Sequence, residues 1–274
     1  MQITRVIVAV DSIPTPADEQ GASTISTRRQ EAYSVIDLSE DEVFQNCLYD
    51  WYLENDWSQR LLELTSRFII PYLQRKSEQD RSSADLLWKY YAHHKEYFEA
   101  AKVQLQLANS FFAIGLQDRI EYLSRAKANA STRMSSFGRL NGSKQEIARD
   151  ITDLLDCASV QLDVLRRLEN DSRLVEPNKT KVTTKLDGRV LSLDELYNDY
   201  VNLAGYHELS LVIFQLSDYR NAAEIKATWE NMVRDIHEEA EAGSDAEPYV
   251  KVQERVRTLA HRVNFSESVF NPRK

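Results

Sequence analysis

From residue 39 onward, apolar side chains recur three or four positions apart with polar and charged residues between them. That period matches one face of an α-helix rather than the two-residue alternation of a half-buried strand. Val43, Cys47, Leu48, Trp51 and Tyr52 predict a helix over about 39–55. Leu61, Leu64, Phe68, Ile69 and Leu73 continue the spacing, with Pro71 expected to break or bend that segment. Leu87, Tyr90, Tyr91 and His94, followed by Phe98, Ala101, Leu105, Ala108 and Phe112, predict a helical hairpin turning near Lys95. A shorter helix through Leu116, Ile120, Leu123 and Ala130 precedes a Ser- and Gly-rich loop, 131–142. The longest stripe, Ile147 to Leu168, predicts a helix from Ser143 to about Asn170, roughly 42 Å at ~1.5 Å per residue. Four further sets follow: Leu196, Tyr200 and Leu203; Leu209, Val212, Ile213 and Leu216; Ile225 to Ala240; and Tyr249 to Val263.

Helix starts are marked by Ser or Thr followed three residues later by Glu or Gln, the spacing of a capping box. Thr27 with Gln30, Ser39 with Glu42, Ser143 with Glu146, Ser192 with Glu195, and Ser244 with Glu247 have it. The predicted organisation is a poorly ordered segment 1–26, a first helical group 27–170, a connecting loop 171–191 carrying Pro177 and Gly188, and a second helical group 192–274. Ile3, Val6, Val8 and Val10 leave room for a strand remnant at the start. The expected fold is all-α, an irregular α-solenoid of stacked helical hairpins, with a compact bundle as the competing architecture.

Composition narrows this further. The chain holds only 7 Gly and 6 Pro in 274 residues, too few for folds built on many tight turns or Gly-rich phosphate loops. Its formal charge of −9 opposes non-specific adhesion to nucleic acid or to an anionic membrane. The longest apolar runs, Val6 to Val10 and Phe111 to Leu116, are too short to span a bilayer, so no direct membrane insertion is expected. Cys47 and Cys157, both in amphipathic segments, are read as buried thiols of a reducing, intracellular compartment.

Chemistry-bearing motifs are missing. His237-Glu238-Glu239 begins like a metalloprotease helix, but position 241 is Glu241 rather than a second His. Neither cysteine has a His at helical spacing, and there is no Gly-x-Ser-x-Gly elbow and no phosphate-binding glycine loop. The expectation is a non-enzyme with no cofactor, no metal and no small-molecule substrate. Two charge features stand out. Arg125, Lys127, Arg133, Arg139 and Lys144 form a basic island without acidic residues between Glu121 and Glu146, whereas 235–247 is acidic without Lys or Arg. The ordinary reading of both is a solvated helix end.

Three stretches together carry a family resemblance: Leu48-Tyr-Asp-Trp-Tyr-Leu-Glu-Asn-Asp-Trp57, Leu86-Leu-Trp-Lys-Tyr-Tyr91 running into Tyr97-Phe-Glu-Ala-Ala101, and Gln117-Asp-Arg-Ile-Glu-Tyr-Leu-Ser-Arg-Ala-Lys127. In order and interval they resemble the C-terminal solenoid of the large non-FG inner-ring scaffold nucleoporins, which carry an N-terminal β-propeller. The likeness is specific over about 39–131 and continues more weakly through Leu203-Ala-Gly-Tyr206. It implies a C-terminal fragment of a longer scaffold protein at the nuclear envelope, in the nuclear pore complex. It also implies partners among other nucleoporins, above all peptides of flexible linker nucleoporins. The alternative is a nucleic-acid or chromatin-binding helical module using 125–144. In Tyr206 to Leu216, Leu211 and Phe214 point away from the main apolar stripe. They are either covered by a neighbouring helix or open as a docking groove, and with the basic-island residues they are the candidate partner-binding positions.

Overall fold

A computed structural model describes residues 5, 8, 9, 12–14, 19–37, 39–132, 142–242 and 248–263. Among them there is helix and no strand. The helices are α1 (Glu19–Asp37), α2 (Glu42–Glu54), α3 (Ser58–Glu63), α4 (Ile69–Ser77), α5 (Arg81–His93), α6 (Tyr97–Asn109), α7 (Leu116–Ser131), α8 (Gly142–Glu169), α9 (Asn178–Leu186), α10 (Leu193–Leu196), α11 (Asn202–Ala204), α12 (His207–Leu216), α13 (Ala222–Ala242) and α14 (Pro248–Arg262), with a π-turn (Tyr197–Val201) joining α10 to α11. They fall into two compact units, one running to Leu107 and taking up the chain again from Asn129, the other built from Ala108–Ala128 and the later helices. The division therefore lies away from the connection read at 171–191, which itself contains α9.

In the first unit α4 packs on α5, with α3 against α2 and α5. Tyr49, Tyr52, Leu61, Ile69 and Leu73 are fully enclosed. The buried face of α2 is Gln45, Leu48, Tyr49 and Tyr52, so Val43 and Cys47 project outward and the expected buried thiol at 47 is exposed. The cause is one step of phase: the spacing of Val43, Cys47 and Trp51 is helical, but the neighbouring stripe contacts α3 and α4. Pro71 does not break a helix. The chain leaves α3 at Leu64, and Pro71 falls in the first turn of α4, where its missing N–H costs nothing. Helix α1 begins well before Thr27, inside the segment expected to be poorly ordered. The Thr24 and Thr27 hydroxyls donate back to Gln20 and Ser23 carbonyls, and the Arg60 guanidinium lies 3.1 Å from the centre of the Tyr33 ring.

Of the predicted capping boxes, Ser192 with Glu195 forms in full. Asp41 takes the cap from Ser39, its carboxylate accepting from the Val43 and Phe44 N–H groups, while 244–247 lies outside the described residues. The opposite helix ends share one solution. Asp56, Lys95, Gly205 and Asp218 have φ of 61°, 63°, 68° and 50°, and the N–H of the next residue reaches back five positions: Trp57 to Tyr52, Glu96 to Tyr91, Tyr206 to Val201, Tyr219 to Phe214. These are Schellman motifs. Their apolar clasp is visible where the Tyr52 and Trp57 rings stack at 6.2 Å and the Phe214 and Tyr219 rings at 4.8 Å. A chain with 7 glycines thus places Asp and Lys in left-handed positions that glycine usually fills.

The second unit is organised on α8, 28 residues long, whose buried side packs against α9, α10 and α12. Gln161 of α8 is wholly buried. Its amide donates to the Leu186 and Arg189 carbonyls, and its oxygen accepts from the Leu191 N–H, fixing the return from α9. Arg119 of α7, 3% exposed, does the same upstream: its guanidinium donates to the carbonyls of Ala108, Ser110, Phe112 and Ile114. The π-turn advances the phase of the following helix by one residue, so Val201 is buried and Leu203, expected on the apolar stripe, is 79% exposed. Beyond α8, Tyr206 donates to Asp171 at 2.7 Å, and Arg173 bonds both Asp171 and the Ala204 carbonyl. Hydrogen bonding from Arg173 and Tyr206 holds the Asp171 carboxyl well below the usual carboxylate range; burial, aided by the bond to Asp171, pushes the Tyr206 hydroxyl up to about 12.

Three outcomes follow from this packing. Leu211→Asp or Phe214→Asp, each placing an unpaired charge in the interior, destabilises the chain by at least about 3 kcal/mol in urea titrations. Lys95→Gly removes left-handed strain and raises stability by about 0.5–1 kcal/mol, read as a higher melting temperature. Because Asp171 is more acidic folded than unfolded, its contribution is present above its unfolded value near ~4 and fades as pH falls through the folded one. Wild-type chain therefore loses more stability than Asp171→Asn between neutral pH and strong acid, and parallel acid titrations of the two should converge.

Candidate docking surface

Helix α12 decides the fate of the apolar pair. It touches α8, α13 and the π-turn, and Leu209, Ser210, Leu211, Val212, Ile213 and Phe214 are all buried. Leu211 is 0% and Phe214 4% exposed. The Phe214 ring meets Tyr197 of the π-turn at 5.4 Å as well as Tyr219. The open-groove alternative is therefore corrected: a helix with neighbours on several sides is apolar all round because it is covered all round.

The described members of the basic island are exposed and already engaged. Arg125 pairs with Glu121 one turn earlier on α7, an exposed i,i+4 pair. Lys127 on α7 and Lys144 at the start of α8 are exposed, and each is already engaged with another group. Arg133 and Arg139 lie outside the described residues. Part of the acidic stretch, by contrast, faces a cavity that sequence periodicity did not single out.

That cavity is a cleft of about 340 Å³ in the second unit, bounded by the last turns of α8, the first turn of α12, the middle of α13, and Arg255 of α14. Its floor is Leu209, Met232 and Ile236, all nearly fully covered. Its walls are charged. Arg255 forks onto Glu208 with bonds of 2.8 and 2.9 Å and stands 3.8 Å from Glu239, which also lies 3.9 Å from Arg167. Hydrogen bonding to Glu208 raises the Arg255 pKa. His207 approaches Asp235 at 3.5 Å, and Arg262 bonds Asp163. Arg167 and Arg173 each lie 5.7 Å from the centre of the Tyr206 ring. The acidic stretch beginning at Asp235 was visible in the sequence; that Asp235 and Glu239 face His207, Arg167 and Arg255 here was not.

Among the described residues no three His, Cys, Asp or Glu side chains are grouped to hold a metal ion. His237, the first residue of the truncated metalloprotease-like motif, stacks edge-on with Tyr249 and faces Glu241 at 3.7 Å. No helix among the described residues is long and apolar enough to cross a membrane.

Comparison with known proteins agrees with the helical fold and identifies its kind. The chain is 39% identical to nucleoporin NUP170 of Chaetomium thermophilum over 267 residues, covering 89% of this chain and 19% of that protein. It is 33% identical to nucleoporin NUP170 of Saccharomyces cerevisiae over 213 residues, covering 77% of this chain and 14% of that protein. The crystal structure of the Chaetomium thermophilum Nup170 CTD–Nup145N complex superposes with a TM-score of 0.86 at 37% identity, covering 98% of this chain and 53% of that chain. The Chaetomium thermophilum Nup170 CTD gives 0.84 at 36% identity, covering 99% and 52%. The chain thus spans about a fifth of the curated Chaetomium relative and about half of the solved domain. A family match, Non-repetitive/WGA-negative nucleoporin C-terminal, extends over residues 1–274, and the chain belongs to that family.

Proposed function

We propose that this chain is a scaffold segment of the nuclear pore complex that supports the pore by binding a segment of a second nucleoporin. The observation that carries this reading is the match to the Nup170 CTD, a domain solved in complex with Nup145N, over nearly the whole of this chain. The physical build agrees with it. Closed helix ends and stapled loops hold the local surface of each unit in one shape, so a partner segment pays most of the ordering cost on binding. The chain works by presenting surface, not by chemistry, and it acts at the nuclear envelope as a soluble-faced part of the pore. A nucleic-acid reading gains no support from the basic island, whose described members are already engaged. Purified chain mixed with Chaetomium thermophilum Nup145N should form a complex by isothermal titration calorimetry that excess duplex DNA does not displace. Absence of binding, or displacement by any duplex, overturns the reading.

A further inference from the structure

The joint between α1 and α2 holds a serine whose hydroxyl the fold does not use. Sequence spacing predicts Ser39 as the cap of α2, but Asp41 takes that place, and the Ser39 hydroxyl is left accepting from the Asp41 N–H at 3.5 Å, the outer limit of a hydrogen bond. Among the described residues it donates to nothing. The Ser39 carbonyl is what ties the joint down: it accepts at 3.1 Å from the buried Gln45 amide, which also reaches the Ile36 carbonyl. Residues 39–41 lie outside any helix. Glu40, Asp41 and Glu42 follow directly, all exposed and none in an ion pair among the described residues. Acids at the start of a helix are ordinary, since the macrodipole favours them. The serine at their head changes the reading. Ser39 is the only serine or threonine of the chain followed by three consecutive acids. Ser34, Ser77, Ser82 and Ser143 also have an acid three residues on, but each sits inside a helix. The first three of those hydroxyls are spent on the Glu31 and Gln74 carbonyls and the Asp80 carboxylate. Only at Ser39 does an uncommitted hydroxyl precede carboxylates that no cation of the described chain neutralises, a charge pattern that draws a basic surface.

We propose that Ser39 is a phosphorylation site for a protein kinase whose basic substrate groove reads the carboxylates of Glu40, Asp41 and Glu42. The Ser39 oxygen attacks the γ-phosphorus of ATP; its bond to phosphorus forms as the bond from that phosphorus to the β-phosphate oxygen breaks, ADP leaves, and the hydroxyl proton passes to the kinase's catalytic carboxylate. The new group adds about −1.5 to −2 charge to a joint that already holds three carboxylates. It stands two residues ahead of the α2 cap, on the side of the helix that favours an anion, and it replaces a hydroxyl that carries no bond the fold needs. The modified chain therefore stays folded while this part of its surface becomes strongly anionic. The assignment is independent of the binding of a nucleoporin segment.

The experiment incubates purified wild-type chain, Glu42→Gln and Glu254→Gln with casein kinase II, an acid-directed kinase, and magnesium ATP, and follows each site by mass spectrometry over time. Glu254 is exposed on α14, so its neutralisation controls for net charge. The expected result is phosphate on Ser39 at least tenfold faster than on Ser34, Ser77, Ser82 or Ser143, a loss of at least tenfold at Ser39 in Glu42→Gln, and little change in Glu254→Gln. Circular dichroism melts of the phosphorylated chain and of Ser39→Ala should match wild type, because the hydroxyl makes no bond to lose. Should Glu42→Gln lower the melting temperature, Glu40→Gln, outside any helix, replaces it in the comparison. A chain left unmodified at Ser39, or modified there no faster than at the helical serines, overturns the proposal. An unchanged rate at Ser39 in the variant of the acidic run overturns it too, as does an equal loss in Glu254→Gln.

Discussion

The structure depends on satisfying the backbone groups that helices leave open at their ends. Each α-helix strands up to four carbonyls and four N–H groups, and a chain of many short-linked helices multiplies that burden. Here the solution is local and repeated. Four helix ends close through a left-handed residue followed by an amide that reaches back five positions, and in two of them an aromatic pair seals the turn. Loops too long for that device are held by buried polar side chains: Gln45 donates to the Ile36 and Ser39 carbonyls, Gln161 spans the return from α9, and Arg119 binds four carbonyls upstream of α7. A guanidinium buried among carbonyls is costly unless fully bonded, so this loop has little freedom to adopt another shape.

That rigidity carries over to the charged cleft beside α12. Asp171, Arg173 and Tyr206 fasten the segment after α8 to the corner that opens α12, and Gly205 at φ 68° makes the corner possible. The last turn of α8 and the first turn of α12 are thereby fixed relative to one another, and Arg166 and Arg167 of α8 line the cleft while remaining exposed. Charged walls and a covered apolar floor distinguish this cleft from an apolar ligand pocket. The turn motifs also explain why the stretches that carry the family resemblance are aromatic-rich. Leu48 to Trp57 contains the Tyr52–Asp56–Trp57 turn, and Leu203 to Tyr206 contains the Gly205 corner. The resemblance reads architecture, with recognition of partners built on top of it.

Sequence periodicity located the helices better than it located their buried faces. The 28-residue span of α8, the turn at Lys95 and the Ser192 capping box follow from spacing and capping chemistry, which act within one or two turns. Phase was less legible. Val43, Cys47 and Leu203 have the right period and the wrong side, because a neighbouring stripe on α2 met its partners first and because a π-turn, with no distinctive sequence, moved the register after Tyr197. Arg119 and Gln161 read as ordinary helix polar residues; only loops distant in sequence reveal them as interior staples.

By itself, then, the sequence determined an all-helical chain, its long central helix, its lack of catalytic motifs, and membership of a scaffold nucleoporin family, since each rests on local pattern or on stretches recognisable as text. Tertiary structure decided which apolar faces are closed and which charges meet. Leu211 and Phe214 became core because α8, α13 and the π-turn surround α12, and Glu208 and Asp163 became ion-pair partners because α14 brings Arg255 and Arg262 to them. Packing between segments far apart in the chain sets both outcomes, and a helical period carries no record of which neighbour arrives.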